Sequence, residues 1–207
     1  MKIGAFSRGG VARGQKAVHA ADHDMHPKAV LAPAGILEVD TDQLTLVFGT
    51  SRDTSDFVAD CLEMWWLRRQ SAHPGVNRVL IDLDNGPEIA SSRTQFMKRL
   101  VAFSDHHQLI LELAYYPPYH SKYNLIERCW GILENHWNGT LLTSVEAALE
   151  WARTMTWRGI PPIVHLLDRT YETGVRLTPR FFRPIAARLE RSDTLPKWSL
   201  VIHPRTW

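Results

Sequence analysis

Two short apolar segments near residue 40 predict a pair of adjacent strands. They are Gly35–Val39 and Leu44–Phe48, and in the second one leucine and phenylalanine alternate with threonine and valine. This alternation is typical of a half-buried strand. The polar residues Asp40–Asp42 lie between the two segments and favour a turn. The segments are therefore predicted to form neighbouring strands of one sheet.

Apolar positions at helical spacing characterise several later segments. The predicted helices begin at Asp53 or Thr54, Ser92, Asn124, Thr143 and Pro179, and they end near Trp65, His107, Trp137, Trp157 and Arg191. The compact apolar runs Val79–Leu83 and Leu109–Ala114 have the length of strands. Strands that first follow one another and then alternate with helices predict an α/β protein, with a mixed sheet flanked by helices.

The composition narrows the class of protein. The chain has 207 residues, of which 44% are hydrophobic and 22% charged, and this excludes a wholly disordered chain. No apolar run reaches the about 18 residues that a bilayer crossing needs, and residues 1–20 do not resemble a secretory signal. Cys61 and Cys129 lie within apolar helical patterns, so we expect a cytoplasmic protein without disulfides or a membrane partner.

Charge is distributed unevenly along the chain, although the net charge is only +2. Residues 1–20 carry four basic and no acidic side chains, and residues 176–207 carry seven basic and two acidic ones. Basic ends around an acidic middle favour a protein that binds a polyanion, although solvated termini would give the same pattern. The predicted C-terminal helix contains or adjoins Arg180, Arg183, Arg188 and Arg191, which we expect to contact DNA phosphates. Arg188 and Arg191 are three residues apart and are predicted to share one helix face.

Acidic residues follow the apolar segment Val79–Leu83. Asp82 and Asp84 are two residues apart and share one face of the predicted strand. Asp82 lies within the apolar segment, where a buried carboxylate would be costly unless it is paired or bound to a metal. Because ligands of α/β proteins bind at the carboxyl ends of strands, these two carboxylates are candidates for a ligand-binding site. The alternative is a simple turn, since Asp84 is followed by Asn85 and Gly86.

A second candidate carboxylate lies at the start of a predicted helix. Asn124 can cap this helix and Glu127 lies in its first turn, so Glu127 is either a capping residue, a catalytic residue or both. The preceding loop contains His120 and Lys122 among several tyrosines. Such side chains can contact phosphates or stack on bases, and the loop is a candidate DNA-binding element.

Histidines occur in two further groups. His19, His23 and His26 lie close to aspartates, but their spacing matches no closed zinc motif. His106 and His107 lie at the end of a predicted helix, where a contact with the helix dipole explains them most simply.

The combination of Asp84–Glu88 (DNGPE) with Pro117–Trp130 (PPYHSKYNLIERCW) resembles the DDE transposases of the retroviral-integrase superfamily. The pattern is most similar to the Rhodopirellula-type insertion-sequence transposases. Supporting segments are Ile3–Gly10, Ala21–Asp24, Thr94–Arg99 and Leu133–Gly139. The resemblance extends over most of the chain, from about residue 3 to 200.

This resemblance implies an RNase H-like fold and DNA cleavage and strand transfer with two Mg²⁺ or Mn²⁺ ions. Asp84 would be the second aspartate and Glu127 the glutamate of the catalytic and metal-binding set. Carboxylate oxygens suit these hard cations, and two such ions stabilise the attacking and leaving oxygens of a phosphodiester. The implied partners are transposon ends and target DNA, with self-association on DNA and no small-molecule substrate. The resemblance also implies that the protein is associated with the nucleoid.

The first aspartate of the family would precede Ile3, where this chain has only Met1 and Lys2. We therefore expect a catalytic domain over residues 1–160 with an incomplete first strand, and a basic extension over residues 161–207. The chain would then be inactive as written. The alternatives are a non-catalytic remnant that binds DNA or a partner, and a haloacid-dehalogenase-like phosphatase using Asp82 and Asp84.

Overall fold

The computed structural model describes residues 1–3, 29–117 and 123–205, and these residues form an α/β protein with mixed sheets. The architecture is consistent with an RNase H-like domain, as predicted. In chain order the elements are β1 (Lys2–Ile3), β2 (Ala29–Val30), β3 (Ala32–Leu37), β4 (Leu44–Gly49), α1 (Ser55–Arg69), β5 (Arg78–Leu83), α2 (Thr94–His107), β6 (Ile110–Tyr115), α3 (Leu125–His136), α4 (Val145–Thr154), β7 (Ile163–Leu167), α5 (Pro179–Ala186), β8 (Leu189–Arg191) and β9 (Ser199–Ile202). None of these helices combines the length and apolar character that a membrane crossing requires.

The chain divides into two compact units. The first unit contains residues 1–52 and 125–170, and the second contains residues 53–124 and 171–207. The division predicted from the sequence, with a boundary after residue 160, stays a prediction. Each unit is built from segments that are distant in the sequence.

The first unit contains a three-stranded sheet in the order β3-β4-β7, beside the short pair β1-β2. The predicted hairpin is confirmed, because β3 and β4 pair antiparallel and Leu37 faces Leu44 at the turn. The unpredicted strand β7 pairs parallel with β4. All of β4 is buried, and Phe48 meets Trp137 beyond α3 with ring centroids 6.5 Å apart.

The second unit contains a four-stranded sheet in the order β5-β6-β9-β8. The strands β5 and β6 are parallel and are connected through α2, whereas β9 runs antiparallel to β6. Leu111, Leu113, Leu200 and Ile202 are completely buried in this sheet. Its two central strands therefore come from segments about 90 residues apart, joined by backbone pairing and a shared apolar core.

Several helix boundaries follow the predicted capping chemistry. Thr54 caps α1, because its hydroxyl accepts a hydrogen bond from the Phe57 amide at 3.1 Å. At α4 the predicted cap Thr143 is wrong by one residue, since Ser144 accepts the equivalent bond from Ala147 at 3.1 Å. The two cysteines are free and buried, as expected.

The C-terminal segment differs most from the prediction. The helix expected to reach Arg191 ends at Ala186, and residues 189–191 instead form β8. Pro184 lies inside this helix and removes a backbone donor from its last turn. Pairing of β8 with β9 then satisfies the extended backbone that follows.

Candidate functional site

Asp84 lies directly after the carboxyl end of β5 and its side chain is exposed. The Gly86 amide donates a hydrogen bond to the Asp84 carboxylate at 3.1 Å, so the residue does form the predicted turn. This bond engages one carboxylate oxygen. The turn and a ligand role are therefore compatible, because an exposed carboxylate offers further lone pairs to a cation.

Two other carboxylates influence the surroundings of Asp84. Partial burial raises the pKa of Asp53, and the negative charges of Glu88 and Asp84 raise it further. Glu88 is itself paired with Arg93 at 2.8 Å. Local sequence offered Asp53 only as a possible helix cap, because nothing in its own segment reveals that the chain returns beside it at Asp84. The end of β5 therefore lies in a field of excess negative charge.

Asp82 is on the exposed face of β5, together with Arg78 and Leu80. Partial burial raises the pKa of Asp82, and a hydrogen bond from the Tyr116 hydroxyl opposes the shift. Because the carboxylate lies at the surface, no buried ion has to be explained at this position. The sequence pattern overstated its burial, since β5 presents one face to solvent.

Glu127 lies in the first turn of α3 and is exposed. This helix packs closely on β3 at Gly35, where an added Cβ atom would lie 2.8 Å from Trp130 Cζ2 and 3.0 Å from Ile126 Cδ1. A side chain at residue 35 would therefore displace the helix or its apolar residues. Glycine at this position determines how near the start of α3, and hence Glu127, comes to the strand.

Asp84 belongs to the second unit and Glu127 to the first. The predicted approach of their carboxylates stays a prediction. The donor set itself fits Mg²⁺ or Mn²⁺, because both side chains are exposed carboxylates and these cations prefer oxygen ligands. His120 and Lys122 lie outside the described residues.

The four predicted DNA-binding arginines fall into two pairs. Arg180 and Arg183 lie on α5, are exposed and are three residues apart, so they share a helix face. Arg188 and Arg191 lie beyond the helix and are half-buried. The expectation that these two share a helix face is wrong, because the chain has already left the helix and Arg191 belongs to β8.

Arg188 and Arg191 are both bound within the protein. Arg188 makes two hydrogen bonds to the Asp105 carboxylate, at 2.7 and 3.1 Å. Arg191 donates to the backbone oxygens of Ser91 at 2.7 Å and Pro196 at 2.8 Å. These bonds give both residues a structural role in the second unit. Arg180 and Arg183 are the better placed pair for contacts with phosphate.

Comparison with known proteins gives one family. The sequence matches the family model described as Rhodopirellula transposase DDE domain over residues 1–204. No curated protein and no solved structure matches the chain. The match includes both predicted catalytic carboxylates and all four arginines discussed above.

Proposed function

Because the chain belongs to the family of Rhodopirellula-type DDE transposases, we propose that it acts in DNA cleavage and strand transfer by metal-assisted phosphoryl transfer. The observation that carries this proposal is the position of Asp84. Its exposed carboxylate directly follows a strand, inside a chain that matches the family over residues 1–204. The carboxyl ends of strands are where α/β proteins bind their ligands.

In this proposal Asp84 and Glu127 hold divalent cations, Mg²⁺ or Mn²⁺. The chemistry that such ions supply when bound is charge stabilisation on the attacking and leaving oxygens of a phosphodiester. The carboxylates of Asp53 and Glu88 add negative charge near Asp84, and this attracts cations to the end of β5. The hydrogen bond from Gly86 orients the Asp84 carboxylate before any ion arrives.

Arg180 and Arg183 support the DNA-binding part of the proposal. Both side chains are exposed on one face of α5, and neither has a partner among the residues that the structure describes. A pair of free guanidinium groups suits the phosphate backbone and reads no sequence. We also expect self-association on paired DNA ends, as the family resemblance implies.

The test is cleavage of a duplex that carries the DNA flanking the gene, in Mg²⁺ and in EDTA. Asp84→Asn and Glu127→Gln should each abolish Mg²⁺-dependent cleavage while the circular dichroism spectrum stays unchanged. Asp82→Asn and Glu150→Gln are the matched controls, because they make the same chemical changes at exposed positions. Full cleavage by Asp84→Asn or Glu127→Gln would refute the assignment.

Metal binding is measured separately from activity by Mn²⁺ electron paramagnetic resonance. Asp84→Asn should weaken Mn²⁺ binding, whereas Asp82→Asn should not. If the protein binds DNA but never cleaves it, the expectation of an inactive chain that only binds DNA replaces the proposal. If the protein releases phosphate from a small phosphomonoester and Asp82→Asn abolishes this release, the phosphatase alternative replaces the proposal.

A further inference from the structure

A group of three side chains with metal-ligand chemistry lies away from Asp84, between α1 and α2. It consists of Glu63 on α1 and of His106 and His107, the last two residues of α2. The ligand atoms that these residues offer all lie within 4.8 Å of one another. We propose that Glu63, His106 and His107 form a zinc site that ties the end of α2 to α1.

The geometry of the group is close to that of a three-ligand zinc site. A tetrahedral ion at about 2.0–2.1 Å from nitrogen and oxygen ligands separates those ligands by roughly 3.3 Å. His107 Nε2 and Glu63 Oε1 are 2.8 Å apart, so they need to separate by only about half an ångström. The ligand nitrogen of His106 lies within 4.8 Å of these two atoms, so its exposed side chain has to move by no more than about 1.5 Å to reach the separation of about 3.3 Å in a tetrahedral site.

The environment of His107 orders the site before an ion binds. Its side chain is only 6% exposed, and its ring packs on Phe103 with centroids 4.7 Å apart. The ring of Trp66 lies on another side of the His107 ring, with the two ring centroids 6.4 Å apart. Because these contacts restrict the ring, less conformational entropy is lost on binding an ion than at a free surface histidine.

The hydrogen bond between His107 and Glu63 does not explain the position of His106. The pair between His107 and Glu63 is complete without His106, and the His106 side chain makes no hydrogen bond within the part of the chain that the structure describes. Adjacent residues of a helix normally point in different directions. Here the two rings meet edge to face with centroids 4.6 Å apart, at the last turn of α2.

The donor set selects the class of metal. Two imidazole nitrogens and one carboxylate oxygen suit Zn²⁺ and related transition metals, whereas Mg²⁺ and Ca²⁺ prefer oxygen alone. Three protein ligands leave a fourth position for water. This set differs from the all-carboxylate set at Asp84 and Glu127, so the two sites are expected to take different ions.

The test is zinc titration of the full chain by calorimetry, after removal of metals with EDTA. His106→Ala is the decisive variant, because the side chain is exposed and its loss leaves the packing of α1 on α2 intact. We expect this variant to lose one zinc equivalent, or at least about tenfold in affinity at that site. Glu63→Gln should give the same loss.

His203→Ala is the matched control. His203 also pairs with a glutamate, Glu190, at 3.2 Å, but no third ligand joins them among the described residues. This variant should keep the zinc stoichiometry of the parent protein. Equal zinc binding by the parent and by His106→Ala would overturn the proposal, as would an equal loss in His203→Ala.

Thermal unfolding gives a second readout that does not depend on activity. Zn²⁺ should raise the midpoint of the parent protein and of His203→Ala, and should raise that of His106→Ala less. Mg²⁺ at the same concentration should show no difference between the parent and His106→Ala. If Zn²⁺ raises the midpoint by the same amount in all three proteins, a site that includes His106 is contradicted.

Discussion

The ion pair between Arg188 and Asp105 tests whether the basic residues of the C-terminal segment stabilise the fold or bind DNA. Asp105 lies in the last turns of α2, and Arg188 precedes β8. The Arg188 side chain is 18% exposed and the Asp105 side chain is 22% exposed, and two hydrogen bonds join them. The Asp105 carboxylate also accepts the Arg205 backbone amide at 2.8 Å. The pair therefore connects α2 to two C-terminal segments of the second unit.

Arg188→Ala is expected to lower the free energy of unfolding by about 2 kcal/mol. Hydrogen bonds to charged groups are worth about 1.5–3 kcal/mol each when buried, and exposed ion pairs about 0–1 kcal/mol. The partial exposure of both side chains places the pair between these limits. The amide of Arg205 still serves Asp105 after the substitution, so the carboxylate is not left without a partner.

The assay is urea unfolding followed by circular dichroism, with Arg180→Ala as the control. Arg180 is exposed on α5, and its loss should change stability by less than about 0.5 kcal/mol. For DNA binding we expect the opposite ranking, with a larger effect from the exposed arginines than from Arg188. Arg180→Ala with Arg183→Ala should reduce the log–log salt slope by roughly 0.9 per lost phosphate contact, whereas Arg188→Ala should leave it unchanged.

The pH dependence supplies a further check on the same pair. The hydrogen bond from Arg188 holds the pKa of Asp105 below its ordinary value of 3.8, and burial partly opposes this. A carboxylate whose pKa is lowered in the folded state stabilises the protein fully at pH values above its ordinary pKa. This stabilisation is lost as the pH falls through the folded-state pKa. The difference between parent and Arg188→Ala should therefore be constant near neutrality and shrink in acid. Equal stability of Arg188→Ala and Arg180→Ala at pH 7 would refute the structural role.

Three further substitutions or treatments test other parts of the fold. Gly35→Ala should destabilise the first unit by about 1–3 kcal/mol in urea unfolding, because the added Cβ would lie 2.8 Å from the Trp130 ring; unchanged stability would contradict the close packing of α3. Asp53→Asn should raise the free energy of unfolding at pH 7 in metal-free buffer, because partial burial and the neighbouring carboxylates raise the pKa of Asp53 and so disfavour its charged form; a loss of stability would contradict this. Cys61 and Cys129 should react slowly with a thiol reagent at pH 8 until urea is added, because burial raises both pKa values, that of Cys129 to about 11; immediate modification of the folded protein would contradict their burial.

Local features of the chain were predicted from the sequence because their causes are local. The cap at Thr54 depends on residues within one helical turn, and the β3–β4 hairpin on alternation around a short turn. The strand that leads to Asp84 was recognised from one apolar run and the turn residues after it. Family membership was recognised from the segments around Asp84 and Glu127 and is confirmed by the match over residues 1–204.

The tertiary structure alone decided which distant segments meet. Nothing near residue 163 indicates that β7 pairs with β4, and nothing near residue 199 indicates that β9 pairs with β6. The same limit hid the partners of Arg188 and the convergence of Glu63 with two histidines. Periodicity and capping report the conformation of a segment, whereas strand pairing and side-chain contacts depend on the free energy of burying segments that are far apart in the chain.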